Sequence, residues 1–300
     1  MNGHELLDVL AIRIAALAVG KRKFFQDRVE SPSLGEAILE LRTPEVGGLE
    51  EGVEESYPVG GRDFSVEPAL MPWRLRDPEA PALVYHHGNN ESPFDFSRLA
   101  KNTFRSLFAK QIPVSGLNVV LLRAPFHGAG LKEYAERMKD LKAFVSMIAG
   151  SVRLMEGVVE CLREWGCRRV CVCGPSLGGW VTNLHRAYFN TAFAYLPLLA
   201  GGGLGDMFVS SVYRHMVGAA GRENPEILRD RLNFDDAMLR VEEENVHPLL
   251  ARHDRIILLG RQKRSYGEGS IRVIPRGHIT ALLAGEALRD HVFGVLSHPS

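Results

Sequence analysis

Neither sign of charge is in excess: 36 lysines and arginines balance 36 aspartates and glutamates over 300 residues. A chain with no net field has no global attraction for nucleic acid, so any steering must come from local patches. Cysteine is scarce, and Cys161, Cys167, Cys171 and Cys173 crowd into one short stretch. That excludes a disulfide framework spread along the chain, and the spacing does not suit zinc. Cys171 and Cys173 share one face of a strand, where small apolar side chains serve equally well. Reduced thiols fit a cytoplasmic protein, and neither a metal nor a cofactor is expected. No Pro/Ser/Gly-rich linker interrupts the chain, which argues for a single domain over residues 1–300 carrying an insertion. Long apolar runs are missing too. The N-terminus is acidic at Glu5 and Asp8, and Arg13 breaks the apolar run beyond them, so neither a signal peptide nor a transmembrane segment is expected.

Leu6, Leu7, Leu10, Ile14 and Leu17 recur at helical spacing and predict an amphipathic helix over about 4–25. Packing of that stripe onto its own domain is the simpler expectation, and a membrane-surface helix is the alternative. From Ser31 to about Arg76, short apolar pieces such as Ala37-Ile38-Leu39-Glu40-Leu41 alternate with turn residues and read as antiparallel strands. Further on, Ala82–Tyr85, Asn118–Leu122 and Val170–Cys173 are short runs suited to central strands, and the stretch from about Leu141 to Trp165 is helical.

The chemistry gathers behind the third of those runs. Gly174-Pro175-Ser176-Leu177-Gly178-Gly179 matches G-x-S-x-G and leads into a helical stretch from Trp180. A strand that turns this sharply into a helix pushes its serine into a strained conformation above the sheet, and glycines are needed where a Cβ would collide. The helix N-terminus then directs amides at a reacting carbonyl. A second loop, His86-His87-Gly88-Asn89-Asn90, comes directly after the Ala82–Tyr85 run. A His-Gly turn there can present a backbone N–H to an oxyanion, so the expected donors are the amides of Leu177 and Asn89. Adjacent histidines point to opposite sides of a strand and do not readily share a metal. His87 and His127, the latter in the loop after Asn118–Leu122, are candidates to touch substrate at the strands' carboxyl ends, although a structural histidine fixing the loop explains His127 at least as well.

Asp254 and His278 each close an apolar run, Leu249–Asp254 and Ile271–His278. Taken singly, each is as well explained by a structural role. Together with Ser176 they fall in the order nucleophile, acid, base. Asp206 competes for the acid's place, but it opens a helix after three glycines, where pairing with the helix dipole explains it. Arg255–Gly260, if it were itself the strand, would put Asp254 at the wrong end. Residues of about 200–245 interrupt the alternation and read as a helical cap.

With elbow, His-Gly loop, acid and Gly277-His278 in this order, the sequence resembles the α/β-hydrolase superfamily from roughly Ala82 onward. Ala251-Arg252-His253-Asp254 and Gly277-His278-Ile279-Thr280-Ala281 are similar to segments in the branch of α/β-hydrolase domain-containing protein 18 and its bacterial relatives. The His86-His87-Gly88-Asn89-Asn90 loop departs from that branch toward the general esterase pattern. The resemblance implies a mainly parallel eight-stranded sheet flanked by helices, with a cap after the sixth strand. It also implies an esterase- or lipase-like serine hydrolase with triad Ser176, Asp254 and His278; separately, the zero net charge and the apolar patches Met207-Phe208-Val209 and Tyr195-Leu196 point to uncharged or weakly charged acyl esters of small to medium length. Peptidase, thioesterase or acyltransferase chemistry on the same scaffold, or a silent binding protein, are the alternatives.

Overall fold

Apolar runs without polar alternation demand a sheet covered on both faces. The computed structural model, which describes residues 1–62, 64–128 and 130–297, builds it. The strands are β1 (Glu55–Ser56), β2 (Val59–Gly60), β3 (Ser65–Val66), β4 (Ala69–Arg74), β5 (Ala82–His86), β6 (Asn118–Arg123), β7 (Val170–Pro175), β8 (Ala194–Leu198), β9 (Leu249–Ala251) and β10 (Arg272–Ile274). Eight of them form one sheet in the order β1-β4-β6-β5-β7-β8-β9-β10, and β2 and β3 pair separately. β1 and β4 run antiparallel to their neighbours, and β6 through β10 are parallel. The order reverses around β5, between β6 and β7, which opens a crevice at the carboxyl ends of those strands.

Six helices frame the crevice and its surroundings: α1 (Gly3–Val19), α2 (Leu34–Glu40), α3 (Leu141–Glu164), α4 (Leu177–Tyr188), α5 (Leu204–Ser210) and α6 (His278–Leu283). Asp140 caps α3, Gly166 beyond its end takes φ +112°, and nearly every apolar side chain between is buried. α2 occupies the stretch expected to be extended. Ser33 and Glu36 form a capping box, and Leu34, Ala37, Ile38 and Leu41 bury one helical face against α3. An apolar pentapeptide carries no period long enough to separate strand from helix, and the cap decides it. Likewise, Leu259–Gln262 is helical and β9 ends at Ala251, so Asp254 lies beyond the carboxyl end of its strand.

The expectation for α1 inverts. Its buried residues are Asp8, Ile12 and Ala16, whereas Leu6, Leu7, Leu10, Ile14 and Leu17 stand 39–82% exposed. Between β8 and β9 the chain runs through α5, a 3-10 turn at Val212–Met216 and three further short helices ending at Leu239. Among the described residues, no helix is long and apolar enough to cross a membrane.

Candidate active site

β7 delivers Ser176 at φ 52°, ψ −109°, a conformation costing on the order of 1–3 kcal/mol for a residue with a side chain. The turn is held by the Ser176 N–H, which donates to the Leu198 carbonyl at 2.8 Å. Two glycines make the approach possible: a Cβ on Gly174 would lie 2.5 Å from the His86 carbonyl oxygen, and one on Gly178 would collide with the same atom. The elbow is therefore packed directly on the end of β5.

The three residues read in order along the chain meet in space. His278 Nε2 lies 3.1 Å from Ser176 Oγ, and His278 Nδ1 lies 2.7 Å from Asp254 Oδ2. The other carboxylate oxygen of Asp254 accepts the amides of Ile256 and Ile257 at 2.8 and 2.6 Å. Asp254 has only acceptors, so the proton between the two sits on His278 Nδ1 and Nε2 is left to accept from the serine hydroxyl. Asp254 and His278 are 4% and 5% exposed. Burial alone would lower the imidazole's pKa, but the charge of Asp254 and its hydrogen bond outweigh this, with Asp8 adding to them and Lys101 opposing. The result is an imidazole raised above its ordinary value. Asp206 is elsewhere: Arg229, Arg261 and Asn233 saturate its carboxylate.

Asp8 is the residue that reading along the chain missed. Fully buried, it accepts the His278 and Arg255 amides on Oδ2, at 2.9 and 3.1 Å, and the Ile279 amide on Oδ1, at 3.1 Å. One side chain of α1 thus ties the loop bearing Asp254 to the loop bearing His278. A carboxylate amid the leucines of an apolar helix was the available signal, since a charge is buried only when it is paired.

The Leu177 amide opens α4, and the Asn89 amide lies in the loop after β5. Neither donates to a protein acceptor among the described residues, and both residues line a cavity with Ser176 and His278. Asn89 is gripped on several sides. Its Oδ1 accepts the Tyr134 hydroxyl at 2.6 Å, its Nδ2 donates to Tyr213 at 3.4 Å, and Lys101 Nζ donates to its carbonyl at 3.2 Å. Glu91, a buried carboxyl in the same wall, accepts from the Thr103 amide and hydroxyl at 2.9 and 2.6 Å. Burial raises its pKa despite those bonds.

His87 and His127 do not line the cavity; both brace the loop instead. His87 donates from Nδ1 to the Gly88 carbonyl at 2.6 Å and accepts the Ala124 amide on Nε2 at 3.0 Å, which links the ends of β5 and β6. His127 Nε2 accepts the Asn90 amide at 3.4 Å. Burial, followed by the neighbouring His127 and His86 rings and by Arg123, holds His87 well below its ordinary pKa. His127 is pulled down to about 4, chiefly by burial. Rings with a lone pair already committed to an amide cannot take up a proton without breaking that bond.

The cavity holds about 570 Å³ and is walled mainly by apolar groups, including Phe24, Phe144, Trp180, Met207, Phe208 and Met216. No protein-family model matches the chain, and no curated protein matches it in sequence. Solved structures do match. Acetyl xylan esterase 1 from Thermoanaerobacterium sp. JW/SL YS485 superimposes with a TM-score of 0.54 at 15% identity, over 90% of this chain and 97% of the esterase. Est1E from Butyrivibrio proteoclasticus matches at 0.52 and 12% identity, over 81% of this chain and 99% of its own. The chain has the α/β-hydrolase fold. Acylaminoacyl peptidase from Pyrococcus horikoshii shares that fold over 80% of this chain but 39% of its own length, with a TM-score of 0.55 at 12% identity. Within the α/β-hydrolase fold, Ser176, Asp254 and His278 sit at the carboxyl ends of β7 and β9 and just beyond β10.

Proposed function

We propose that this protein is a serine hydrolase that cleaves a carboxylic ester through an acyl-enzyme on Ser176. The observation that carries the reading is the unbroken relay from Ser176 Oγ through His278 to Asp254, at 3.1 and 2.7 Å, beside an apolar cavity. A serine hydroxyl is a poor nucleophile until a base accepts its proton. In the proposed reaction Ser176 Oγ attacks the acyl carbonyl as His278 Nε2 takes the hydroxyl proton, and Asp254 stabilises the imidazolium and holds its tautomer. The carbonyl electron pair moves onto oxygen, where the Leu177 and Asn89 amides receive it. Collapse breaks the ester C–O bond and the leaving alkoxide takes the proton from Nε2. Water then repeats the sequence and frees the acid.

The largely apolar wall favours an uncharged acyl chain over a peptide. His87 and His127 serve as positioning residues for the oxyanion loop. The chain segment from α5 through Leu239, which contributes Met207, Phe208 and Met216 to the wall, acts as the cap. Labelling with a fluorophosphonate probe and then hydrolysis of p-nitrophenyl esters of increasing chain length test the reading. Labelling confined to Ser176 and an optimum at short to medium chains are expected. Labelling of another serine overturns the assignment, and faster cleavage of peptides than of esters overturns the ester reading.

A further inference from the structure

A surface helix ordinarily turns its apolar stripe inward, and α1 does the reverse. Its inner face is anchored through Asp8, while Leu6, Leu10, Ile14 and Leu17 stand 44, 47, 65 and 82% exposed. Steps of four, four and three residues stack these side chains along one side of the helix. Single exposed leucines are ordinary, but a continuous row is a surface waiting for a partner. The partner's charge can be read beside it. Arg13, Lys23, Arg214 and Arg222 line one groove of about 610 Å³ together with Ala16 and Leu17, and among the described residues that lining contains no carboxylate. His215, in the same groove, is lowered by its burial and then by Arg214, Arg13 and Lys23, so these cations do converge.

We propose that this face docks on the surface of an anionic lipid bilayer. The leucine row enters the boundary between headgroups and acyl chains, and the four cations lie over headgroup phosphates. A second copy of the chain fits less well, because a two-fold contact across α1 would set the same cations against one another. Leu283 at the end of α6, which is 76% exposed, lines the Ser176 cavity, as do Ile12 and Ala15 on the inward side of α1.

The proposal does not depend on the hydrolase reading, and flotation of the full chain with vesicles tests it separately. Phosphatidylcholine vesicles containing phosphatidylglycerol should carry the protein upward, and phosphatidylcholine alone should carry far less. The double variant Leu10→Asp/Ile14→Asp, at solvent-facing positions and checked for folding by circular dichroism, should lose at least about tenfold in partitioning. Arg13→Gln and Lys23→Gln should each lose about fivefold, and added salt should mimic them. Ser176→Ala should float as the parent does, so failure of the catalytic assignment leaves this result untouched. Protein that stays in solution with both vesicle types overturns the proposal. So does a dimer in light scattering that Leu10→Asp/Ile14→Asp splits, since a second copy would then cover the row.

Discussion

Asp8 accepts a hydrogen bond at 2.9 Å from the backbone amide of His278, across 270 residues of chain. The same oxygen takes the Arg255 amide, next in sequence to Asp254, so one buried carboxylate sets the spacing between the proposed acid and base. Removing its charge while keeping its shape should change the chemistry in a recognisable way. Asp254 and Asp8 raise the His278 pKa, Lys101 and burial lower it, and catalysis needs the neutral imidazole. The acid limb of kcat/KM should therefore lie above pH ~6.5 in the parent, the ordinary histidine value. In Asp8→Asn it should move to lower pH. A purely structural role would lower activity at every pH without moving the limb. Asp8→Ala, which strands three amides, should lose at least about 2 kcal/mol of stability in urea unfolding.

Replacing Ser176 by alanine removes the proposed nucleophile and relieves no packing elsewhere. Turnover should fall on the order of 10⁴- to 10⁶-fold with an unchanged thermal transition. A loss below about tenfold would contradict the nucleophile assignment.

Two carboxylates separate cleanly by their partners. Asp254→Asn should lower kcat on the order of 10⁴-fold, because an amide at that position can hold the wrong tautomer of His278. Asp206→Asn breaks pairing with Arg229 and Arg261, and should lower stability by about 1–3 kcal/mol while kcat stays near the parent value. Steady-state kinetics beside calorimetry on both variants distinguishes the two roles; the reverse pattern would move the acid to Asp206.

Gly178→Ala tests the elbow's packing. The added methyl meets the His86 carbonyl, a backbone atom that cannot rotate away, so a loss of about 3 kcal/mol or more, or insoluble protein, is expected. Gly260→Ala, where a Cβ meets nothing within 4 Å, is the control and should be close to neutral.

Much of the site was legible along the chain because its constraints are local. A serine forced to φ 52° needs glycines at Gly174 and Gly178, and those residues sit within two positions of it, where a short pattern records them. The central strands were legible for a similar reason, since a sheet covered on both faces asks for unbroken apolar runs. The helical state of α2 is hidden in the sequence because a five-residue stretch as short as Ala37–Leu41 is compatible with either period, and the capping box of Ser33 and Glu36 outweighs the run. The sequence puts His87 and His127 in the loops after β5 and β6, but does not say whether a loop histidine faces the cavity or the amides beneath it.

The elbow, the order of Ser176, Asp254 and His278, and the strands that present them can be read along the chain, because the elbow and the strands depend on sterics and apolar contact between near neighbours. That Asp254 rather than Asp206 meets His278, that Asp8 buttresses both loops, and that the leucine row of α1 faces outward all come from how distant segments pack together. A helix's periodicity shows that it has two faces; which one is buried depends on what the rest of the chain places against it. Here that was a pair of loops rich in unpaired amides, and a carboxylate satisfies them where a leucine cannot.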